Sequence, residues 1–386
     1  MKLGISMALV GLSAMWVTGA MAGDPMNGGS SGSGSGVPAE PVFAGTIYND
    51  GCRHPGIAAY WKDGRWTELS ASQHELSSQS FSASVSDGHV YVAGDLDTDD
   101  GASTIGGYWL DGIWHGFKIR AHDPYHSEKY YSHVAGVKEV GGHVYAAGAV
   151  ENSCGDRVAA YWVDGKRTQL DSRYPHSTYG ASGMDVDSEG HIYVTGGYWE
   201  NLSNGHIRSH LGYWRDKKFT PIEVTSEVQA VDAIQVVDGR VYLAGYTMKN
   251  DVPDDLRATP GYWTEGKWHA LDMPSKSKIG WAIAIVFSGG HLYVGGTLGK
   301  PGVNDYNENI PGYWKDGKWV SLNFPGDYEG GYVRSMQISD EGRVTVGGAI
   351  FTRGFERVVP GYWRDGVWTA LSTSSTCGAV SSIAFH

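Results

Sequence analysis

The chain has 386 residues, a formal net charge of −12, and 30 Lys and Arg against 42 Asp and Glu. The basic residues are scattered, whereas nucleic acids and anionic membrane surfaces attract a basic footprint, so the composition disfavours both as partners. The 56 glycines suit turns, and 23 tyrosines and 15 tryptophans beside only 9 phenylalanines favour an all-β protein.

The amino-terminal residues predict a secretory signal peptide followed by a flexible linker. A lysine, an apolar run and small residues ending at Ala22 predict a signal peptide over residues 1–22 and a secreted or periplasmic protein. The apolar run is too short to span a bilayer comfortably, so we expect no membrane insertion. Residues 23–40 contain GGSSGSGSG and predict a Gly/Ser-rich linker, which leaves residues 41–386 as the folded domain.

A Tyr-Trp pair recurs about every 50 residues, a period typical of β-propeller blades. The pairs are Tyr60-Trp61, Tyr108-Trp109, Tyr161-Trp162, Tyr213-Trp214, Tyr262-Trp263, Tyr313-Trp314 and Tyr362-Trp363. A second phrase, such as DGHVYVAG, keeps the same period. Each unit therefore predicts four strands: an apolar strand a, a strand b of the HVYVAG type, a strand c with Tyr-Trp, and a strand d of the KWVSL type. The fold predicted is a seven-bladed β-propeller of four-stranded antiparallel blades.

The Tyr-Trp pair is explained if both faces of strand c are covered. Neighbouring residues on a strand point to opposite faces, and each propeller blade packs between two others. We interpret the pairs as blade-to-blade packing, with a ring of sugar-stacking platforms as the alternative. Asp-Gly follows strand c in five units, as in Asp316-Gly317, and predicts a two-residue hairpin with positive φ.

Two units depart from this pattern on their outer strands. The third has Arg167 where strand d carries Trp, and the fourth has Asp216-Lys217 at the hairpin and Phe219 in place of Trp. A lysine forced to positive φ costs about 1 kcal/mol. We interpret both departures as drift, with a partner surface on the outer rim as the alternative.

The two ends of the folded domain predict how the ring closes. The segment PVFAGT from Pro41 is a strand b without a strand a, and AVSSIAFH, ending at His386, is a strand a without a strand b. Together they complete one blade, which pairs two sheet edges that would otherwise invite aggregation.

The glycines after strand b carry a resemblance to a known family. In IYVTGG, LYVGG and VTVGG the double glycines are Gly196-Gly197, Gly295-Gly296 and Gly347-Gly348. Followed by strands with Tyr and then Trp, these motifs resemble the kelch family of β-propellers. Other units read Ala-Gly, and the hairpin is one residue shorter than the kelch pattern. The resemblance implies a propeller and, because exported kelch-like proteins include sugar mutarotases, a carbohydrate-active enzyme as one alternative.

The long and variable b–c and d–a loops predict a ligand face around the mouth of the central channel. The a–b and c–d turns on the other face are short and repetitive. The chain has no HExxH, no CxxC pair and no nucleophile elbow, which favours a non-enzymatic module that binds a glycan or a protein. An enzyme that uses a His/Tyr/Asp cluster on the same face stays open.

The loops at 120–133 and 172–180 are rich in His, Tyr and Asp. Histidine beside carboxylate suits acid–base work or metal ligation, and tyrosine faces suit sugar rings. Four arginines from units that adjoin the closure are placed to meet a carboxylate-bearing ligand such as an acidic sugar: Arg53, Arg334, Arg353 and Arg357. Solvated loop residues without a role are the alternative. The candidate ligand-binding residues are His122, Asp123, Tyr125, His126, Tyr131, His133, Tyr174, His176, Tyr179 and Arg334.

Four histidines recur at the start of strand b, where Arg240 and Arg343 replace them in other units. Arginine could not replace a histidine that binds a ligand. We therefore expect these histidines to be turn residues on the face opposite the b–c and d–a loops. They are His89, His143, His191 and His291.

The segment DLDTDDG has the carboxylate spacing of a calcium loop at Asp95, Asp97 and Asp99. It lacks two features of the EF-hand, since Asp100 stands where Gly is needed and Gly106 where Glu is needed. The pattern therefore supports calcium only in part, and we expect no other cofactor.

Three cysteines stand in a protein predicted to be exported, where disulfides form. Cys52 lies in the b–c loop of the closing blade, and Cys377 lies in the d–a loop that leads into its last strand. Both loops belong to the same face, so we predict a bridge that locks the ring and leaves Cys154 free.

Overall fold

A computed structural model describes thirteen stretches of the chain, which contain 28 strands and one short 3-10 helix. The stretches are 40–48, 56–70, 75–98, 103–119, 130–152, 156–170, 180–201, 207–223, 228–249, 257–274, 277–300, 309–371 and 377–385. Within these stretches no helix is long and apolar enough to cross a membrane. The predicted signal peptide and all but the last residue of the linker lie outside the described residues.

The strands form seven four-stranded antiparallel units, as predicted. Blade 1 begins with β1 (Val42–Tyr48), β2 (Ile57–Lys62) and β3 (Arg65–Glu68). Blade 2 has β4 (Glu75–Ser86), β5 (His89–Thr98), β6 (Thr104–Leu110) and β7 (Ile113–Gly116), and blade 3 has β8 (Ser132–Val140), β9 (His143–Glu151), β10 (Arg157–Val163) and β11 (Lys166–Gln169). Blade 4 has β12 (Ala181–Val186), β13 (Ile192–Asn201), β14 (Ile207–Arg215) and β15 (Lys218–Pro221).

The remaining blades repeat the order. Blade 5 has β16 (Val228–Val237), β17 (Arg240–Lys249), β18 (Arg257–Thr264) and β19 (Lys267–Ala270). Blade 6 has β20 (Gly280–Ser288), β21 (His291–Gly299), β22 (Asn309–Lys315) and β23 (Lys318–Ser321). Blade 7 has β24 (Gly330–Ile338), β25 (Val344–Phe351), β26 (Val358–Arg364) and β27 (Val367–Ala370), with the 3-10 helix Arg353–Phe355 in its b–c loop. The last strand is β28 (Cys377–Ala384).

The ring closes as the two chain ends predict. β28 pairs antiparallel with β1, from Val42 opposite Ala384 to Tyr48 opposite Cys377. The innermost strands then contact one another in the cyclic order β28, β4, β8, β12, β16, β20, β24 and back to β28. Blades 7 and 1 also share one parallel bridge, Val358 with Cys377. The first strand of the ring is thus supplied by the end of the chain.

The Tyr-Trp pairs pack between blades, which confirms the interpretation from sequence. Six of the tryptophans, from Trp109 to Trp363, are at most 1% exposed. At every one of the seven interfaces the tyrosine of one blade and the tryptophan of the next share a core cluster, for example Tyr161 with Trp214 and Tyr362 with Trp61. These aromatic side chains therefore pack in the core between blades and do not serve as platforms on which sugars stack.

The c–d hairpins adopt the predicted left-handed backbone. Asp316 has φ 50° and Gly317 has φ 81°, and the other Asp-Gly hairpins are alike. The fourth unit differs from the expectation: Asp216 has φ 55°, but Lys217 is not among the described residues with positive φ. The turn therefore avoids the strain that a left-handed lysine would carry.

Each innermost strand carries a β-bulge at the same place in its blade, and β4 has a second register shift between Glu75 and Ser77. A bulge leaves one residue out of the ladder and redirects its side chain. The bulged residues are Phe81, Ala135, Ser182, Asp232, Ile283, Arg334 and Ser381. In a propeller the innermost strands surround the central channel, so these residues stand on the strands that line it.

Candidate ligand-binding site at the mouth of the channel

The face of a–b and c–d turns is built from repeated contacts. His143 Nδ1 lies 2.7 Å from Asp164 Oδ2, and the Val144 N–H donates to the other carboxylate oxygen. These two hydrogen bonds lower the pKa of Asp164 below its usual range. Equivalent pairs join His89 to Asp111, His191 to Asp216 and His291 to Asp316. The four histidines are turn residues on this face, as predicted from sequence.

The opposite face brings three of the candidate residues together between blades 2 and 3. His133 is 5% exposed, and its Nδ1 lies 2.5 Å from Asp95 Oδ2. The Arg157 guanidinium stacks over the Tyr131 ring, with Cζ 4.1 Å from the ring centroid. Burial raises the pKa of Tyr131, and the Arg157 charge opposes that rise. Tyr131, His133 and Asp95 therefore form one polar cluster.

Much of this cluster supports the blade interface. The Val134 N–H donates to Asp95 Oδ1 at 3.0 Å. Thr46 and Thr297 occupy the same strand b position in other blades, and each accepts the equivalent N–H of the next blade at 3.3 Å. Asp95 thus accepts the backbone N–H that threonine accepts in those blades, and its second oxygen contacts His133 Nδ1.

The predicted calcium ligands are engaged in the same way. Asp97 accepts hydrogen bonds from Ser77 Oγ at 2.8 Å and from Thr104 Oγ1 at 3.0 Å. Asp99 lies outside the described residues, and the part of the chain that is described holds no group of three metal-ligating side chains. The carboxylates of Asp95 and Asp97 therefore accept hydrogen bonds from neighbouring groups of the protein.

A second cluster lines the channel itself, between blades 5, 7 and 1. Arg334 is the bulged residue of β24, and its Cζ lies 4.8 Å from the centroid of the Tyr332 ring. Its charge also acts on Tyr48 at the end of β1 and on Asp232, the bulged residue of β16. Asp232 belongs to blade 5 and Arg334 to blade 7, with blade 6 between them, so their interaction runs across the channel. We call Tyr48, Asp232, Tyr332 and Arg334 the channel cluster.

The electrostatics of the channel cluster are unusual. Burial raises the pKa of Asp232 from 3.8 to about 7, and the Arg334 charge limits that rise. Burial likewise raises the pKa of Tyr48 and Tyr332, again opposed by Arg334. Near neutral pH the cluster therefore combines one guanidinium, two neutral phenols and a carboxyl group whose pKa is raised to about 7.

This combination of groups can bind and orient a polar ring. A guanidinium pairs with a carboxylate through two parallel N–H donors, and phenol faces and hydroxyls suit sugar rings and their hydroxyl groups. A carboxyl group that titrates near pH 7 can also accept or donate a proton.

Sequence reasoning identified only one member of the channel cluster. Arg334 was a candidate, whereas Tyr48, Tyr332 and Asp232 were missed. The signal for Asp232 was a single charge within the apolar strand VQAVDAIQVV, residues 228–237. The other loop candidates lie outside the described residues: His122, Asp123, Tyr125, His126, Tyr174, His176 and Tyr179.

Cys377 is disulfide-bonded and 1% exposed. Its bonding partner lies outside the described residues, as do both Cys52 and Cys154. Cys377 pairs with Tyr48 across the β1–β28 ladder. Cys52 follows Tyr48 by only four residues in the chain. The Cys52 to Cys377 bridge stays a prediction.

Comparisons with known proteins find similarity among solved structures only. The sequence matches no protein-family model and no curated protein. A puromycin-hydrolyzing peptidase from Mycobacterium tuberculosis is similar with a TM-score of 0.52 and 13% identity, over 79% of this chain and 48% of that one. The chain therefore spans about half of that peptidase.

Two further solved structures are similar at lower scores. The β-propeller domain of the Trilobed protease from Pyrococcus furiosus has a TM-score of 0.45 and 11% identity, over 87% of this chain and 95% of that one. A mutant Aleuria aurantia lectin in complex with Fucα1-6GlcNAc has a TM-score of 0.42 and 11% identity, over 77% and 96%. The sheet topology and the closed ring of seven four-stranded units confirm the predicted propeller at the level of the fold.

Proposed function

We propose that the protein is an exported binding module whose channel cluster binds a carboxylate-bearing glycan. The observation that carries this proposal is the position of Arg334, a guanidinium at a bulge of the innermost strand, stacked on Tyr332 and beside Tyr48. This arrangement presents a cation and two aromatic rings at the one place in a propeller where all the blades converge.

Arg334 supplies the contact to the anionic group. Its planar fork of N–H donors matches a carboxylate, and stacking over the Tyr332 ring restricts the plane of the guanidinium. Because the net charge is −12, the protein as a whole does not attract an anion over a distance. Recognition must therefore come from short-range contacts, and association is slower than for electrostatically steered pairs.

The other members of the channel cluster favour a sugar over a simple carboxylate. Tyr48 and Tyr332 stay neutral near pH 7 and can stack on a ring or bind its hydroxyl groups. Asp232 donates a hydrogen bond when protonated, whereas its ionised form repels the ligand carboxylate. Binding should therefore weaken as the pH rises through about 7.

The rest of the ligand face is proposed to extend this site. Tyr131 and His133 lie on the same face, between blades 2 and 3. The predicted loop residues from His122 to His126 and from Tyr174 to Tyr179 belong to the d–a loops of blades 2 and 3. Variation of such loops on a rigid scaffold is a common way to set specificity.

A second candidate function is a carbohydrate-active enzyme, and Asp232 is the observation that favours it. A carboxyl group with a pKa of about 7 in a channel is suited to general acid–base catalysis on a bound sugar. Following each binding sugar by NMR for exchange of anomers or for new products separates the two functions. If the protein only binds the sugar, the spectra should change no faster than they do without the protein.

The experiment that tests the first proposal is calorimetric titration with glucuronate and galacturonate against glucose and galactose. We expect the wild type to bind a uronate and to bind the matching neutral sugar at least tenfold more weakly. Arg334→Ala should abolish uronate binding, and Arg334→Lys should weaken it, because lysine keeps the charge but loses the planar fork.

Arg343→Ala is the matched control, since Arg343 is an exposed arginine at the a–b turn of the same blade, on the opposite face. Equal uronate binding by wild type and Arg334→Ala would contradict the proposal.

A further inference from the structure

The b–c loop of blade 7 contains an unusual backbone conformation. Phe355 has φ 58°, in the left-handed region. The other non-glycine residues with positive φ in the described stretches are Asp or Glu in tight turns, where short polar side chains tolerate it. A bulky aromatic residue there is an outlier of the kind that concentrates at functional sites.

The loop is built to hold this conformation. The Thr352 N–H donates to the Arg357 carbonyl at 3.0 Å, and the Phe355 N–H donates to the Thr352 carbonyl at 3.0 Å. The Arg357 N–H donates to Thr352 Oγ1 at 3.1 Å, and Gly354 absorbs a second left-handed φ of 67°. The strained phenylalanine is therefore maintained by a closed set of hydrogen bonds within the loop.

The ring of Phe355 is connected to the channel cluster through aromatic contacts. It is 37% exposed, and its centroid lies 4.5 Å from that of Phe351. Phe351 is buried and lies 6.0 Å from Tyr332, with 28° between the ring planes. The Arg334 guanidinium lies over the Tyr332 ring. An unbroken series of side chains thus runs from the rim of blade 7 to the proposed carboxylate site.

The same loop concentrates positive charge in an acidic protein. Arg353 and Arg357 are exposed on either side of Phe355, and the Arg357 Cζ lies 5.5 Å from the Tyr328 ring. Glu356 is the acidic residue of the loop. An exposed aromatic ring with an arginine on either side of it in the chain suits a sugar that carries its own carboxylate.

We propose that Thr352–Arg357 is a second subsite, where Phe355 stacks on a further sugar of an acidic oligosaccharide whose first carboxylate is held by Arg334. This inference rests on the proposed function and adds that the ligand is a chain of uronic acids that leaves the channel across blade 7. Arg353 and Arg357 meet the carboxylate of the outer sugar.

The test compares galacturonate with its trimer on the wild type and on Phe355→Asn. Asparagine tolerates the left-handed φ, so this variant removes the ring while keeping the loop backbone. We expect the wild type to bind the trimer at least tenfold more tightly than the monomer. Phe355→Asn should keep the monomer affinity and lose at least fivefold for the trimer, and Phe355→Tyr should restore it.

The matched control is Val367→Asn, an exposed apolar position of the same blade on β27, far from the ligand face. Saturation transfer from aromatic protons of the wild type to the trimer gives a measurement that needs no variant, and signal on two or more sugar units is expected. Equal trimer affinity for wild type and Phe355→Asn, or transfer to one sugar alone, would overturn the second subsite. Loss of monomer binding in Arg334→Ala with Phe355→Asn unaffected would support the channel site and contradict only the extension.

Discussion

Asp232 places a carboxyl group in a channel that also holds a guanidinium and two phenols. Its raised pKa means that the folded protein holds the proton more tightly than the unfolded chain does. The free energy of unfolding therefore falls as the pH rises from about 4 to about 7, and the penalty is fully present above that range. Asp232 therefore lowers the stability of the folded protein at neutral pH.

This cost predicts the effect of Asp232→Asn. The variant removes the ionisation but keeps the size and the hydrogen-bonding capacity of the side chain. It should raise the free energy of unfolding by about 2 to 4 kcal/mol at pH 8 and by less than about 1 kcal/mol at pH 4.5. Urea denaturation at the two pH values measures this, and an equal effect at both would show that Asp232 does not titrate as described.

Asp95 shows what a residue pattern can and cannot reveal. Its spacing with Asp97 suggested calcium, whereas the structure gives its oxygens to the Val134 N–H and to His133. The informative signal was positional, because Thr46 and Thr297 stand at the same point of other blades. Asp95 therefore stands where other blades have threonine because that position accepts a backbone N–H from the next blade.

Among the elements, strand c contributes most to the cohesion of the ring. Trp314 is fully buried between blades 5 and 6, and its indole N–H donates to the Asp272 carbonyl at 2.6 Å. Trp263 and Trp363 make the same bond to the second residue after strand d of the preceding blade. The repeated tryptophan therefore joins neighbouring blades both by apolar burial and by a hydrogen bond.

Removing one of these rings should be costly. Trp314→Ala should lower the free energy of unfolding by about 3 to 5 kcal/mol because it opens a cavity. Trp314→Phe should lower it by about 1 to 3 kcal/mol, since it leaves the Asp272 carbonyl without its donor. Val320→Ala, at a position 39% exposed on the next strand, is the control and should change it by less than about 0.5 kcal/mol. Urea titration that placed Trp314→Ala level with this control would refute the role of the indole.

The innermost strand shows the limit of sequence reasoning about elements. Its place in each unit was evident from the apolar run before the turn, as in WAIAIVF. The bulge was not evident, because nothing in the local sequence of Asp232 or Arg334 marks the residue that leaves the ladder. Since the bulge decides which side chain leaves the ladder, the position of Asp232 in the channel cluster could not be foreseen.

At the scale of the whole molecule, repetition made the architecture predictable. The Tyr-Trp period defined seven blades, and the unpaired strands at Pro41 and near His386 defined the closure, which the pairing of β28 with β1 confirms. The b–c and d–a loops differ from blade to blade, so the repeat carries no information about them. These loops are also where most of the undescribed residues lie.

Closure by the two ends of the domain predicts a specific disulfide. Cys377 is bonded and lies opposite Tyr48, so we expect its partner to be Cys52. Non-reducing peptide mapping should recover one peptide that joins these two residues and find Cys154 alkylated. Reduction should then lower the free energy of unfolding by about 2 to 4 kcal/mol, because it frees a long loop in the unfolded chain. Recovery of a peptide that joins Cys154 to Cys377 would show that the bond fastens blade 3 instead of the closure.

The most direct test of the binding proposal is a titration of the wild-type protein with a uronic acid and with its methyl ester. The two ligands share the ring and every hydroxyl group and differ in the charge that Arg334 is proposed to bind. The account predicts that the acid binds at least tenfold more tightly than the ester at pH 6. Equal affinity for the two, or binding of neither, would contradict it.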